Sequence, residues 1–287
     1  MASERALRRR IRSISSTAQI TKAMQMVAAS KMRKAQQLAI EGRPFVRLLY
    51  RIQRVATTHA EDYTHPLLEV RPVRTRAVIL VAADKGLCGS LNTNVFRLAT
   101  QYDQASTVFI TAGRKASQFI AQTRRRLLAE FAYGDTPQFA ESRAIAAMAR
   151  DLFLKGEVDA VDVIASRFIN TLTQHAIALP VLPIGDIRGL EIPGLRPSDS
   201  PQLPVEFLFE PNAADIVSYA IGIFLNVFIH VVLLNAKASE QSARMVSMKS
   251  ATDNANTMIK DLTLEYNKLR QGAITQELLE IAGGQAN

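Results

Sequence analysis

The chain has a single cysteine, Cys88, and no tryptophan. One thiol excludes an intrachain disulfide framework, and a reducing compartment is the simpler assumption. Proline is missing after Pro211, and Gly222 and Gly272 are the only glycines between it and Gly283. Nothing in that stretch breaks a helix. Acidic residues are scarce in the first 54 positions, where Glu4 and Glu41 stand against thirteen Lys/Arg. That segment therefore carries +11, and with a total of +9 the remainder sums to −2. No GxxxxGK[ST] or GxGxxG occurs, and His59, His65, His175 and His230 lack metal-ligand spacing. No Ser-His-Asp order or carboxylate pair stands out either. These absences predict a chain with no catalytic residues, no cofactor and no metal site of its own.

Against that background, one pattern dominates. From Val217 to Ala273 a seam steps by three and four: Val217, Ala220, Phe224, Val227, Val231, Leu234, Ala238, Gln241, Met245, Met248, Thr252, Ala255, Ile259, Leu262, Tyr266, Leu269, Ala273. Only Gln241 and Thr252 are not apolar. At about 1.5 Å per residue a helix over 214–281 reaches roughly 100 Å, too long for a core of this chain to wrap. A matching stripe runs through Ile11, Ile14, Ala18, Thr21, Gln25, Ala28, Met32, Ala35 and Ala39. Its small residues let two backbones approach closely. Ser3 is the expected N-cap. Gly42 and Pro44 predict a kink or break, with a second helical stretch over 45–58 continuing beyond it. Two unrelated core helices are the alternative to a paired shaft. Arg8–Arg10 with the serines that follow imitate a transit peptide, but the stripe begins at Ile11, so mature helix is expected.

The middle of the chain alternates. Strands are predicted over 77–83, 107–112, 161–168 and 176–180, and helices over 91–102, 115–121 and 142–154, which together predict a small α/β domain with a largely parallel sheet. The turn Asp84–Ser90 occupies the place where a doubly wound domain binds a phosphate. Without a fingerprint, it reads better as a structural or partner-contact turn. Residues 185–211 form a proline-rich loop, carrying Pro193, Pro197, Pro201, Pro204 and Pro211. Residues 216–236 hold no charge. They are long enough to span a bilayer, but the seam runs straight through them, and a shaft buried by partners is the favoured reading.

The basic amino-terminal helix predicts an acidic partner. Nucleic acid lacks any supporting zinc spacing, RNP signature or aromatic-interleaved basic patch. Three quoted segments point elsewhere. ITKAMQMVAASKMRKAQ (20–36), KGLCGSLN (85–92) and SEQSARMVSMKSATDNANTMIKDLTLEYNKLRQGAITQELLEI (239–281) resemble, in order, the amino-terminal, central-turn and carboxyl-terminal signatures of the gamma subunit of F-type ATP synthases. The resemblance covers nearly the whole chain.

It implies an α+β fold in which a long antiparallel coiled coil of the N- and C-terminal helices carries an inserted α/β, Rossmann-like domain. The implied divisions are 1–58 and 212–287 for the shaft, 77–184 for the α/β domain and 185–211 for the loop. It implies a non-catalytic rotary subunit, one copy per complex, coupling ion flow through a membrane ring to ATP synthesis or hydrolysis. Its partners would be the alpha and beta subunits, the epsilon subunit and the membrane c-ring, at the cytoplasmic face of a bacterial inner membrane, with no nucleic acid. Carried over by position, Arg270, Gln271, Thr275 and Glu277 match residues touching beta subunits high in the shaft. Met24, Lys85 and Cys88 match positions near an acidic loop of beta. Glu210 and Pro211 fall on the ring and epsilon side. Two departures stand out: Ala83-Asp84-Lys85 where the family often has Ser-Asp-Arg, and the uncharged 216–236, where several charges are usual. The cysteine pair of the chloroplast-type redox switch is absent.

Overall fold

The computed structural model describes residues 4–59, 65–184 and 213–284, with 39, 42–59, 213–218, 277 and 280–284 described by their backbone alone. The expected N-cap Ser3 and the proline-rich loop 185–211 lie outside the described residues. Two compact units emerge, one of Met1–Ala28 with Arg244–Asn287 and one of Ala29–Ala243. Helices α1 (Glu4–His59) and α5 (Ala213–Gly284) contribute to both. Helix α1 continues through Gly42 and Pro44, so of the expected kink or break the break does not occur.

In the first unit the predicted stripe of α1 is the one that is buried. Ala18, Thr21 and Ala28 are covered, and Ile11, Ile14 and Gln25 are half-buried. Leu7, one step earlier on the same face, is also fully covered. On α5, Met248, Thr252 and Ala255 are buried, Ile259, Leu262, Tyr266 and Leu269 are half-buried, and the stripe ends at the exposed Ala273. The Thr21 and Thr252 hydroxyls are 2.7 Å apart, and the Tyr266 hydroxyl donates to Glu4 Oε1 at 2.8 Å. As the α1 partner moves back from 21 to 4, the α5 partner advances from 252 to 266, so the pairing is antiparallel.

The second unit is built on five strands: β1 (Arg76–Val81), β2 (Thr107–Ala112), β3 (Arg126–Phe131), β4 (Ala160–Phe168) and β5 (Gln174–Leu182). Their order is β3-β2-β1-β4-β5, parallel except for β5, which is antiparallel to β4. Helices α2 (Leu91–Ala99), α3 (Arg114–Gln122) and α4 (Phe139–Leu154) join them. Strand β1 is apolar on both sides because both faces of the sheet are covered. Val78, Leu80 and Ala82 pack with Val95 and Ala99 of α2 and Ala116 and Ile120 of α3. Ala77, Ile79 and Val81 belong to the opposite core, with Ile145, Ala149 and Phe153 of α4.

That second core also contains Ile221, Phe224, Leu225, Phe228, Val232 and Leu233 of α5. The uncharged stretch is therefore covered by this chain's own α/β unit, which corrects the expectation that partners bury it. One window of α5 is long and apolar enough to cross a membrane, but 67% of it is buried inside the protein. A helix hydrophobic all round is what the third layer of an α/β sandwich requires.

Candidate functional site

Strand order reverses between β1 and β4, and the turn Asp84–Ser90 leaves β1 at the carboxyl end of the sheet beside that reversal. The turn is tied down locally. Ala83 N–H donates to Asn92 Oδ1 at 3.1 Å, Asn92 Nδ2 donates to Cys88 Sγ at 3.5 Å, and Arg114 N–H donates to Asp84 Oδ1 at 3.0 Å. Leu87 and Gly89 adopt the left-handed conformation, at φ 63° and 60°. Lys85 is exposed, whereas Cys88 is 2% exposed and packs with Ala83 and Leu91, against Ala243. The turn thus shows its lysine and buries its thiol.

A second feature at this end of the sheet was not visible in the sequence. Lys237 and Glu240 of α5 are 1% and 3% exposed and form an ion pair of 3.0 Å. The Lys237 ammonium lies 4.6 Å from the centroid of the Tyr133 ring and 3.9 Å from Asp135 Oδ1. Tyr133 is held by its hydroxyl, which donates to Ala82 O at 3.0 Å. Asp135 also accepts from Lys31 Nζ of α1 and from Gln241 Nε2 at 3.5 Å. The hydrogen bond from Lys31, aided by the charges of Lys31, Lys237 and Lys85 and opposed by partial burial, holds the Asp135 carboxyl below its ordinary range. Residues 100 positions apart thus meet through three separate elements, a convergence that no local periodicity encodes.

Further along α5, His230 packs edge-on against Phe139 of α4, centroids 5.6 Å apart, and shares a 2.8 Å hydrogen bond with Ser142 Oγ through Nδ1. Burial pushes its pKa below the ordinary 6.5, only partly offset by Glu141. The folded state therefore disfavours the proton that the unfolded state accepts. This contribution is neutral above pH 6.5 and becomes destabilising as pH falls below it, because the unfolded chain binds the extra proton. A His230→Gln variant, which retains a group able to bond Ser142, is expected to show less stability loss between about pH 6.5 and 5 than the parent. Urea unfolding at several pH values checks this, and parallel profiles refute it. At the other end of the sheet, Asp162 joins Arg76 Nη1 at 2.6 Å and accepts from the Tyr102 hydroxyl at 2.8 Å. Burial, then the bond to that carboxylate, drives the Tyr102 pKa upward.

Met24, Arg270, Gln271, Thr275 and Glu277, also predicted as contacts, fall in the first unit. Met24 is half-buried on α1, and Arg270, Gln271 and Thr275 are exposed on α5, where Thr275 Oγ1 donates to Gln271 O at 2.9 Å. Only the backbone of Glu277 is described, and Glu210 and Pro211 lie outside the described residues. Large apolar side chains accompany the exposed set: Ile20, Met26 and Val27 on α1, and Leu264, Ile274 and Leu278 on α5. Such residues interspersed with arginines suit a partner surface better than water.

The family model described as ATP synthase matches residues 3–287. The ATP synthase gamma chain of Opitutus terrae is 45% identical, covering 99% of this chain and 98% of that protein. The ATP synthase gamma chain of Methylacidiphilum infernorum is 41% identical, covering 99% of both. Among solved structures, the OSCP/F1/c-ring assembly of the Euglena gracilis mitochondrial ATP synthase contains a chain matched with a TM-score of 0.63 and 18% identity, over 98% of this chain and 93% of that one. The central stalk/c-ring structure from Tetrahymena thermophila contains another, with a TM-score of 0.61 and 22% identity, over 81% and 99%. At these identities the structural likeness supports the fold, while the gamma-chain relatives, matched end to end, carry the assignment. The chain belongs to the ATP synthase gamma-chain family.

Proposed function

We propose that this chain is a rotating shaft that performs no chemistry itself. Ion flow turns a membrane ring, the ring turns the chain, and the chain favours different conformations of three catalytic beta subunits in succession. The observation that carries this reading is the antiparallel pairing of the two ends of the polypeptide around a buried seam, with Arg270, Gln271 and Thr275 left on the outside. A shaft can drive conformational change only if it contacts each beta conformation with a different free energy, since equal affinity shifts nothing. Exposed arginines suit the task because surface ion pairs contribute about 0–1 kcal/mol each and can break and re-form.

In this reading Arg270, Gln271, Thr275 and Glu277 meet beta subunits, and Met24 and the turn that carries Lys85 and Cys88 lie near an acidic loop of beta. Cys88 acts there by shaping the turn that shows Lys85. The complex sits on the cytoplasmic face of a bacterial inner membrane, with one copy of this chain among alpha, beta, epsilon and ring subunits.

The test is Arg270→Ala combined with Gln271→Ala in the reconstituted complex. ATP synthesis is expected to fall several-fold while the melting transition of the chain stays in place, because both residues are exposed. Unchanged synthesis would remove these contacts from the mechanism. ATP hydrolysis by the isolated chain would replace the shaft reading with that of an enzyme. Its retention on DNA or anionic vesicles at about 0.3 M salt would favour an adaptor.

A further inference from the structure

We infer that Asp135 is a clasp by which the α/β unit grips both long helices at once, and that, on the rotary reading above, torque passes through it between helices and sheet. Its two carboxylate oxygens divide the work. Oδ2 takes the hydrogen bond from Lys31 of α1, and Oδ1 faces Lys237 at 3.9 Å and Gln241 Nε2 at 3.5 Å, both on α5. One carboxylate thus bridges residues from opposite ends of the chain.

The mounting of Asp135 is stiff. Next to it, Gly134 N–H donates to Glu141 Oε1 at 3.2 Å, and Gln138 N–H donates to Glu141 Oε2 at 2.7 Å, closing the capping box of α4. Tyr133, two residues before it, is pinned to Ala82 at the end of β1. A pull on Asp135 is therefore delivered to α4 and to the centre of the sheet rather than absorbed by a loose loop.

The helix side is equally fixed. Lys237 is held from below by Glu240 and against the Tyr133 ring, and Ser239 and Ser242 of the same turn donate to Ser166 O at 3.3 Å and Thr171 O at 2.7 Å. Lys31 sits beside Met32 and Ala35, which carry the buried stripe of α1. Side chains of Lys31 and Asp135 remain about half exposed, at 42% and 52%. Their bond is thus modest in strength and reversible, so it transmits load without being the main source of folding energy.

Three substitutions grade the idea in the assembled complex: Asp135→Glu keeps the charge, Asp135→Asn removes it, and Asp135→Lys reverses it. Amide hydrogen exchange is read in residues 29–38 and 231–243, with β1 as internal reference. The Asn variant is expected to exchange about fivefold faster in both helical segments and unchanged in β1, the Lys variant faster still, and the Glu variant like the parent. Ions moved per ATP hydrolysed are expected to fall in the same order. Exchange within about twofold of the parent in the Asn variant, or equal effects of Glu and Asn, would overturn the clasp. A parent complex that hydrolyses ATP without moving ions would sink the rotary reading and leave the exchange result standing. A parent that moves ions, with the Asn variant moving them equally well, would overturn the torque role alone.

Discussion

Alanine at position 113 is expected to unfold much of the α/β unit under ordinary conditions. Gly113 follows β2 directly, at φ 96°, where a side chain is strained whatever space surrounds it. Here space is lacking as well. A Cβ at this position would stand 2.1 Å from Ala82 O and 3.3 Å from the Tyr133 ring. Neither neighbour can retreat, since Ala82 N–H donates to Ala112 O at 3.0 Å and Ala82 O accepts from the Tyr133 hydroxyl. Backbone strain costs about 1–3 kcal/mol, and forced overpacking about as much again. Together they remove a large part of the roughly 5–15 kcal/mol that holds an ordinary domain folded. Gly156 supplies the control. It is also left-handed, at φ 71°, but its Cβ would meet nothing within 4 Å, so alanine there costs only about 1–2 kcal/mol. Chemical unfolding of the two variants should separate them clearly, and equal stabilities would show that the close approach to Ala82 is not rigid.

The sequence revealed what is periodic. Both stripes of the paired helices could be numbered residue by residue, because a three-four step survives wherever one face packs on one partner, as Ala18, Thr21 and Ala28 do opposite Met248, Thr252 and Ala255. The interior strands were equally plain, since β1 and β4 sit between two layers and read as apolar runs. Strand β3 was missed for the converse reason. It is an edge strand, follows Arg124 and Arg125, and exposes Arg126, Leu127 and Glu130, so it lacks both an apolar run and a clean alternation.

The lack of charge marks residues 216–236 as unusual in the sequence, but it does not say what covers them. Periodicity tells how much of a helix is buried, not by which chain, and only the packing with Ile79, Ile145 and Phe153 shows that the α/β unit supplies it. The site divides in the same way. Arg270, Gln271 and Lys85 came from matching signature segments and lie exposed. The assembly of Lys31, Asp135, Lys237 and Glu240 depends on tertiary contact alone, and in the sequence Lys237 and Glu240 look like any solvated pair on a helix.

That last pair gives the second large effect. Glu240→Ala is expected to destabilise the second unit by about 3 kcal/mol. Lys237 is then left almost fully buried, with its ammonium over the Tyr133 ring and 3.9 Å from Asp135. Those contacts offset only part of the desolvation, because an aromatic face contributes about 2 kcal/mol or less to a buried cation, and Asp135 is half in water and shared with Lys31. Lys237→Met alone takes away the ammonium 3.0 Å from the Glu240 carboxylate and should also destabilise the unit. The double variant Lys237→Met with Glu240→Leu removes both charges, fills their space with apolar atoms, and is expected to recover most of the loss. Replacing a buried ion pair by packed hydrophobic residues is often neutral or better, whereas breaking it is not. With Glu240→Leu also measured alone, the parent, Lys237→Met, Glu240→Leu and the double variant form a cycle whose coupling measures the pair. If the two single losses simply added in the double variant, the lysine and glutamate would be acting independently.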